Sequence, residues 1–288
     1  MTDNMNIQWY PGHMTKTRRQ IEADLKLVDA VCEIVDARIP VSSRNPDIDA
    51  ICGDKPRMIV LNRMDLADPA ATKKWAEYFR RKGMAVIATD CKSKKGISAF
   101  TPAARLACAE KLERDAKRGM NRPLRVMVVG IPNVGKSTLI NQISGRKSAK
   151  AENRPGVTRG KQWVMVDSGL QLLDTPGILW PKFEDPEVGM MLAYTGAVKE
   201  GVIDLEELAY RLMELLHKFY PQTLLERYKV EAPEGTPGWQ LLEMAARKRG
   251  YLVSGGEVNT ERMAKVLLDE FRSGKLGNFT LEMPEDMV

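Results

Sequence analysis

Val126-Met127-Val128-Val129-Gly130-Ile131-Pro132-Asn133-Val134-Gly135-Lys136-Ser137-Thr138-Leu139-Ile140-Asn141 decides the fold. Val126–Val129 reads as a short buried strand and Thr138 onward as the start of a helix. Between them, Gly130–Ser137 fits GxxxxGK[ST], a loop whose amides and following helix N-terminus face phosphate oxygens. Lys136 reaches toward the β- and γ-phosphates, and Ser137 offers a hydroxyl to Mg2+. Gly130, Asn133, Val134, Gly135 and Thr138 complete the phosphate-binding set. The competing reading, a chance Gly-rich turn, is disfavoured by the strand before and the helix after.

Outward from this loop, the apolar runs Val31–Val35, Met58–Leu61 and Met84–Ala88 also read as buried strands. Mixed segments near Thr15–Leu27, Pro69–Arg81 and Ile97–Ala116 separate them as helices. Alternating strands and helices predict a doubly wound, mostly parallel α/β sheet. Gln162–Val166 and Gln171–Leu173, joined across Asp167-Ser168-Gly169, read as an antiparallel hairpin at its edge. After Pro181 the pattern turns helical. Asp204 caps a helix with apolar positions Leu205, Leu208, Leu212, Leu215, Leu216 and Phe219, stopping before Pro221. Thr236-Pro237 opens another with the Thr oxygen accepting an amide, and Asn259-Thr260 opens a third that ends by Gly274. The expected division is a sheet domain over 1–181 and a small all-helical domain over 182–288.

Two further elements fit a triphosphate. Asp174-Thr175-Pro176-Gly177 follows a strand, where a carboxylate holds Mg2+ through water and the Gly177 amide meets the γ-phosphate. Thr158, in Pro155-Gly156-Val157-Thr158, completes the metal shell when triphosphate is bound. Base choice points to Asn62-Arg63-Met64-Asp65. A carboxylate accepts from guanine's ring N–H and exocyclic amine, and adenine has no matching donor pair. Thr89-Asp90-Cys91, after the third strand, presents backbone N–H to the guanine carbonyl.

Composition closes off several classes. No run of about 18 apolar residues exists, so no membrane span is predicted. The opening Met1-Thr2-Asp3-Asn4 lacks the layout of a secretory signal. Cys32, Cys52, Cys91 and Cys108 form no CxxC pair, and two histidines, His13 and His217, are too few for most metal sites. A reducing, cytoplasmic setting is expected. Residues 1–181 carry 31 Lys/Arg against 19 Asp/Glu, residues 182–288 carry 13 against 19, so the first part suits a polyanionic partner. Basic groups cluster at Lys92/Lys94/Lys95, at Lys111/Arg114/Lys117/Arg118/Arg122, at Arg146/Lys147/Lys150 and at Arg247-Lys248-Arg249. Each suits RNA phosphates as well as a solvated helix face.

The phosphate loop, Thr158, Asp174–Gly177, Asn62–Asp65 and Asp90-Cys91 are the five GTPase elements in rotated order, with Asn62–Asp65 ahead of Gly130. The chain thus resembles the circularly permuted GTPases, in which a site built on strand ends survives the permutation. Trp9-Tyr10-Pro11-Gly12-His13-Met14, Val35-Asp36-Ala37-Arg38-Ile39-Pro40 and Asp174–Phe183 narrow the resemblance to the YlqF/RbgA group of ribosome biogenesis GTPases. It covers nearly the whole chain, including the helical tail with Ser254-Gly255-Gly256. The resemblance implies a GTP-hydrolysing factor for late assembly of the large (50S) ribosomal subunit. It also implies a tail that binds rRNA and stimulation by the ribosomal particle.

Two departures stand out: Arg63 replaces the usual Lys, and Asp90-Cys91 replaces the commoner pairing. Ile178 occupies the place where signalling GTPases carry a water-orienting Gln. The resemblance nominates His13 to place or deprotonate the water. It also nominates Asn133 to hold K+ beside the phosphates. GTP and GDP, Mg2+, K+, rRNA and the large subunit are the expected partners, with a monomer and no membrane. A P-loop ATPase or kinase, a non-catalytic GTP-regulated scaffold and a mitochondrial relative are the alternatives.

Overall fold

In the computed structural model the described residues are 19, 21–145, 162–175, 177, 185–198 and 204–287. They form two units: a sheet unit up to residue 177 that also holds the tail from Glu282, and a helical unit from Asp185 to Leu281.

The sheet unit runs β1 (Ala30–Asp36), α1 (Ile48–Cys52), β2 (Arg57–Asn62), α2 (Pro69–Arg81), β3 (Ala85–Thr89), α3 (Phe100–Ala107), α4 (Ala109–Lys117), β4 (Leu124–Val129), α5 (Lys136–Ser144), β5 (Gln162–Asp167) and β6 (Leu170–Asp174). Strand order is β3-β2-β1-β4-β6-β5, and every pairing is parallel except β5 with β6. Buried on both faces, β1 is apolar or buried at every position, as a central parallel strand must be. Val35, Ile59, Leu61, Trp75, Phe79 and Val86 form one apolar cluster; Ile21, Leu25, Val31, Met127 and Leu173 belong to another. Glu33 is buried in the same sheet and accepts from Arg44 and Arg57, which satisfies a charge that burial would otherwise penalise.

Helix α2 matches the expected Pro69–Arg81: the Asp68 side chain accepts from the Ala71 amide at 2.8 Å and Pro69 sits in the first turn. The expected Ile97–Ala116 segment is instead a 3₁₀ turn followed by α3 and α4, broken at buried Cys108. Helix α3 buries Phe100 and Ala104, while α4 has no fully buried residue. The β5–β6 hairpin turns across Ser168-Gly169 at the sheet edge.

The helical unit contains α6 (Pro186–Tyr194), α7 (Leu205–Phe219), α8 (Pro221–Tyr228), α9 (Gly238–Lys248) and α10 (Thr260–Ser273). Asp204 accepts from the Glu206 and Glu207 amides, and Asn259 from Arg262, as the cap residues predict. Thr236 behaves differently. Its hydroxyl donates to Pro233 O, and the Glu214 carboxylate takes the orphan Gly238 amide at 2.8 Å. A long-range carboxylate has displaced the local cap. Between α8 and α10, Glu270 accepts from Arg227 and from the buried Tyr228 hydroxyl. Among the described residues no helix is long and apolar enough to cross a membrane.

Candidate active site

Parallel strands deliver their loops to one edge of a sheet, and four loops meet at the carboxyl ends of β2, β3, β4 and β6. They carry Asn62–Asp65, Thr89–Cys91, Gly130–Ser137 and Asp174–Gly177. Lateral register sets their order: Asp36 lies beside Asn62, Asn62 beside Thr89, and Val128 beside Asp174.

Asn62 joins three of these loops. Its side chain is buried; Nδ2 donates to Val134 O of the phosphate loop at 2.7 Å. Its Oδ1 accepts from Thr89 Oγ1 at 3.0 Å and from Cys91 Sγ at 3.1 Å. Residues 72 apart in sequence are thereby held together. Asn62 braces these loops against one another. Gly135 is needed for the same contact: its φ is +103°, and a Cβ there would stand 2.4 Å from Asn62 Nδ2.

Arg63 adopts a left-handed φ of 61°, which costs a non-glycine residue about 1–2 kcal/mol. Its guanidinium donates to Asn133 O at 2.6 Å, and its Nε lies 3.7 Å from Asp36 Oδ2. The Met64 amide donates to Thr89 O, which leaves Asp65 exposed at the end of the turn. In the neighbouring loop the Asp90 amide is taken by Lys95 O, and the Asp90 carboxylate accepts from the Lys92 amide. Asp90 therefore shapes its own turn, and Cys91 is the member of that pair turned toward Asn62.

In the phosphate loop Asn133 is left-handed, a conformation that Asn tolerates. Gly135, left-handed, is the N-cap of α5, so Lys136, Ser137 and Thr138 form the first turn of that helix at the end of the loop. The Lys136 ammonium is buried and donates to Gly130 O and Ile131 O at 3.0 and 2.8 Å. Burial pulls its pKa down to about 8, against the opposing pull of Asp174. Burial pushes the Asp174 carboxyl up to about 6, with Lys136 and the Thr175 amide acting the other way. Asp174 Oδ1 is buried and accepts no hydrogen bond among the described residues. Thr175 Oγ1 donates to Val128 O at 2.7 Å and fixes the strand end. Gly177 stands against the phosphate loop, where a Cβ would fall 2.9 Å from both Lys136 Nζ and Pro132.

His13, Thr158 and Ile178 lie outside the described residues, as does the basic group Arg146/Lys147/Lys150. Among the other basic groups, Lys111 pairs with Asp29 and Asp115, Arg122 with Asp29, and Arg247 with Glu243. Lys92, Lys94, Lys95, Arg114, Lys117, Arg118 and Lys248 are exposed. The bridging role of Thr175 went unread because a hydroxyl to a distant carbonyl has no sequence signal.

Fold and site together define a P-loop GTPase domain whose base-side loops precede its phosphate loop. A family profile described as 50S ribosome-binding GTPase matches residues 125–220. Ribosome biogenesis GTPase A of Priestia megaterium is 45% identical over 98% of this chain and 98% of its own. The Thermotoga maritima protein of that name is 34% identical over 98% of this chain and 96% of its own. A GDP-bound YlqF structure superposes with a TM-score of 0.67, at 30% identity, covering 93% of this chain and all of that one. The chain belongs to the ribosome biogenesis GTPase A family.

Proposed function

We propose that this protein binds GTP with Mg2+, hydrolyses it to GDP and phosphate, and acts in a late step of large ribosomal subunit assembly. The observation that carries the guanine-nucleotide part is the Asn62 bridge, which makes one pocket of the base-side and phosphate loops. Asp65 accepts from the guanine ring N–H and amine, and the Arg63 stem covers the base face. Lys136 and the α5 amides hold the phosphates, and Gly177 meets the γ-phosphate.

The residues present fit Mg2+: Asp174 Oδ1 is a buried carboxylate oxygen with no hydrogen-bond partner among the described residues, and Asp174 acts electrostatically on Lys136 of the phosphate loop. Ser137 would hold the ion directly, Asp174 through water, with Thr158 completing the shell. The ion supplies charge neutralisation on the phosphates. Asn133 would hold K+, and His13 would orient the attacking water. The exposed basic residues, with Lys248 at the end of α9, supply rRNA phosphate contacts.

The test is GTP hydrolysis by the purified protein in KCl and in NaCl, with and without large ribosomal subunits, with ATP as control. GTP-specific stimulation by subunits, lost in His13→Ala and weaker in NaCl, is the expected result. Equal rates with and without subunits would overturn ribosomal activation. Preference for ATP would overturn the base assignment.

A further inference from the structure

The chain leaves the helical unit at Leu281, and the next residue is bound elsewhere. The Glu282 carboxylate accepts from the Val41 amide at 2.6 Å and from the Ser42 amide at 3.0 Å. Its backbone carbonyl accepts from Trp75 Nε1 at 2.8 Å. Three residues on, Glu285 pairs with Lys74 at 2.9 Å. Burial pushes the Glu282 carboxyl up to about 6, with Asp36 adding to the effect. Holding a carboxylate there costs free energy, which the two amides only partly offset.

The loop it grips is itself braced. The Asp36 amide donates to Ser43 Oγ at 2.9 Å, and Ser43 Oγ donates to Ile39 O at 2.7 Å. Asp36 holds Arg38 through both carboxylate oxygens, at 2.9 and 2.7 Å. Asp36 also faces Arg63, whose guanidinium reaches Asn133 O of the phosphate loop. A path of hydrogen bonds, with one 3.7 Å ion-pair step between Asp36 and Arg63, therefore runs Glu282, 41–43 loop, Asp36, Arg63, Asn133.

We propose that Glu282 is a positioning residue for the nucleotide site, latching the chain that leaves the helical unit onto the 36–43 loop and, through Asp36 and Arg63, onto the phosphate loop. Glu282 touches no nucleotide itself. It sets how firmly Arg63 is held over the base and against Asn133. This rests on the pocket being a guanine-nucleotide site.

The test is a double-mutant cycle on GDP affinity by titration calorimetry, with KM and kcat for GTP measured alongside. Glu282→Ala raises the GDP Kd and the GTP KM about 3- to 10-fold, a coupling typical of residues acting through a packed network, and leaves kcat at saturating GTP unchanged. The same substitution in an Arg63→Ala background adds nothing further. Glu282→Gln, which keeps one acceptor oxygen for one amide, falls between wild type and Ala; it carries the same cycle if the Ala variant does not fold. Lys74→Ala, which cuts only the exposed Glu285 pair, changes neither constant. Unchanged Kd in folded Glu282 variants, or equal rises in both backgrounds, overturns the latch. A purely structural role would lower the melting temperature and the active fraction without this split between KM and kcat. Wild-type protein that fails to bind GDP would instead bring down the nucleotide-site reading and the latch with it.

Discussion

Nucleotide binding at mildly alkaline pH should draw protons from the buffer, in an amount set by Lys136. The ammonium is buried, and burial holds its pKa at about 8 in the free protein. A phosphate placed against it adds opposite charge within a few ångströms, which raises a lysine pKa by about 1–3 units. With a rise in the upper part of that range, the lysine bound to GDP stays charged through pH 9. The uptake then equals the fraction deprotonated in the free protein: about 0.1 proton at pH 7, about 0.5 at pH 8 and about 0.9 at pH 9. The sign follows from the depressed pKa: the free ammonium is lost as pH rises through 8, so GDP affinity falls above pH 8, approaching tenfold per pH unit. Few other groups interfere in that window. A terminal phosphate has its last pKa near 6, and burial pushes Cys52, Cys91 and Cys108 up to about 11. Titration calorimetry in buffers of one pH but different ionisation heats counts the protons from the slope of apparent enthalpy. Lys136→Arg keeps its charge throughout, so its uptake should not rise with pH. A wild-type slope that stays flat between pH 7 and 9 would show that Lys136 titrates as an ordinary exposed lysine, and would refute the buried placement of its ammonium.

Asn62→Ala removes three buried hydrogen bonds and should destabilise the sheet unit by on the order of 3 kcal/mol in urea unfolding, with GDP affinity falling too. Asp65→Asn exchanges a double acceptor for a mixed group; affinity for GTP should fall on the order of a thousand-fold while xanthosine nucleotides gain, measured by competition binding. In the helical unit Arg227 holds the Glu270 carboxyl below its usual range, so its stabilising contribution is complete above about pH 4.5 and is lost as pH falls through the depressed value. Glu270→Ala should therefore unfold the helical unit about 2–3 kcal/mol more easily at pH 7, leaving the Tyr228 hydroxyl and Arg227 unmatched, and the gap to wild type should narrow in acid.

Where local chemistry sufficed, the sequence was a good guide. Asp68-Pro69 starts α2 and Asp204 starts α7 because the cap and first-turn preferences act within three residues. The strands were legible because a parallel sheet buries both faces and leaves unbroken apolar runs. Failures came where a distant group won. Thr236 has the chemistry of a cap, but Glu214 on α7 takes the Gly238 amide, 24 residues away in sequence, instead. Pro221 looked only like a stop, yet it also opens α8. In the site, Asn62 was legible as a base-loop residue, while its bridge to Val134 depends on a register that no single stretch of sequence contains. Glu282 carries no signal at all: one carboxylate in a short tail, given meaning only by the amides of Val41 and Ser42.

The permuted order has a mechanical consequence. In a parallel sheet the carboxyl edge is assembled by space rather than by sequence, so the four site loops meet whichever strand is made first. What the order does change is where the helical unit is attached. It follows the Asp174–Gly177 loop, with seven residues between Gly177 and Asp185. It leaves at Leu281 into Glu282, which grips the loop behind Arg63. Both chain connections of the helical unit thus run into loops of the sheet unit: the Asp174–Gly177 loop before it and, through Glu282, the Val41 and Ser42 amides after it. Any coupling between a partner on the helical unit and a nucleotide on the sheet unit would have these two covalent connections to act through. Coupling between two such sites is reciprocal by thermodynamic necessity: whatever factor a ribosomal particle imposes on GTP affinity, GTP imposes on affinity for the particle.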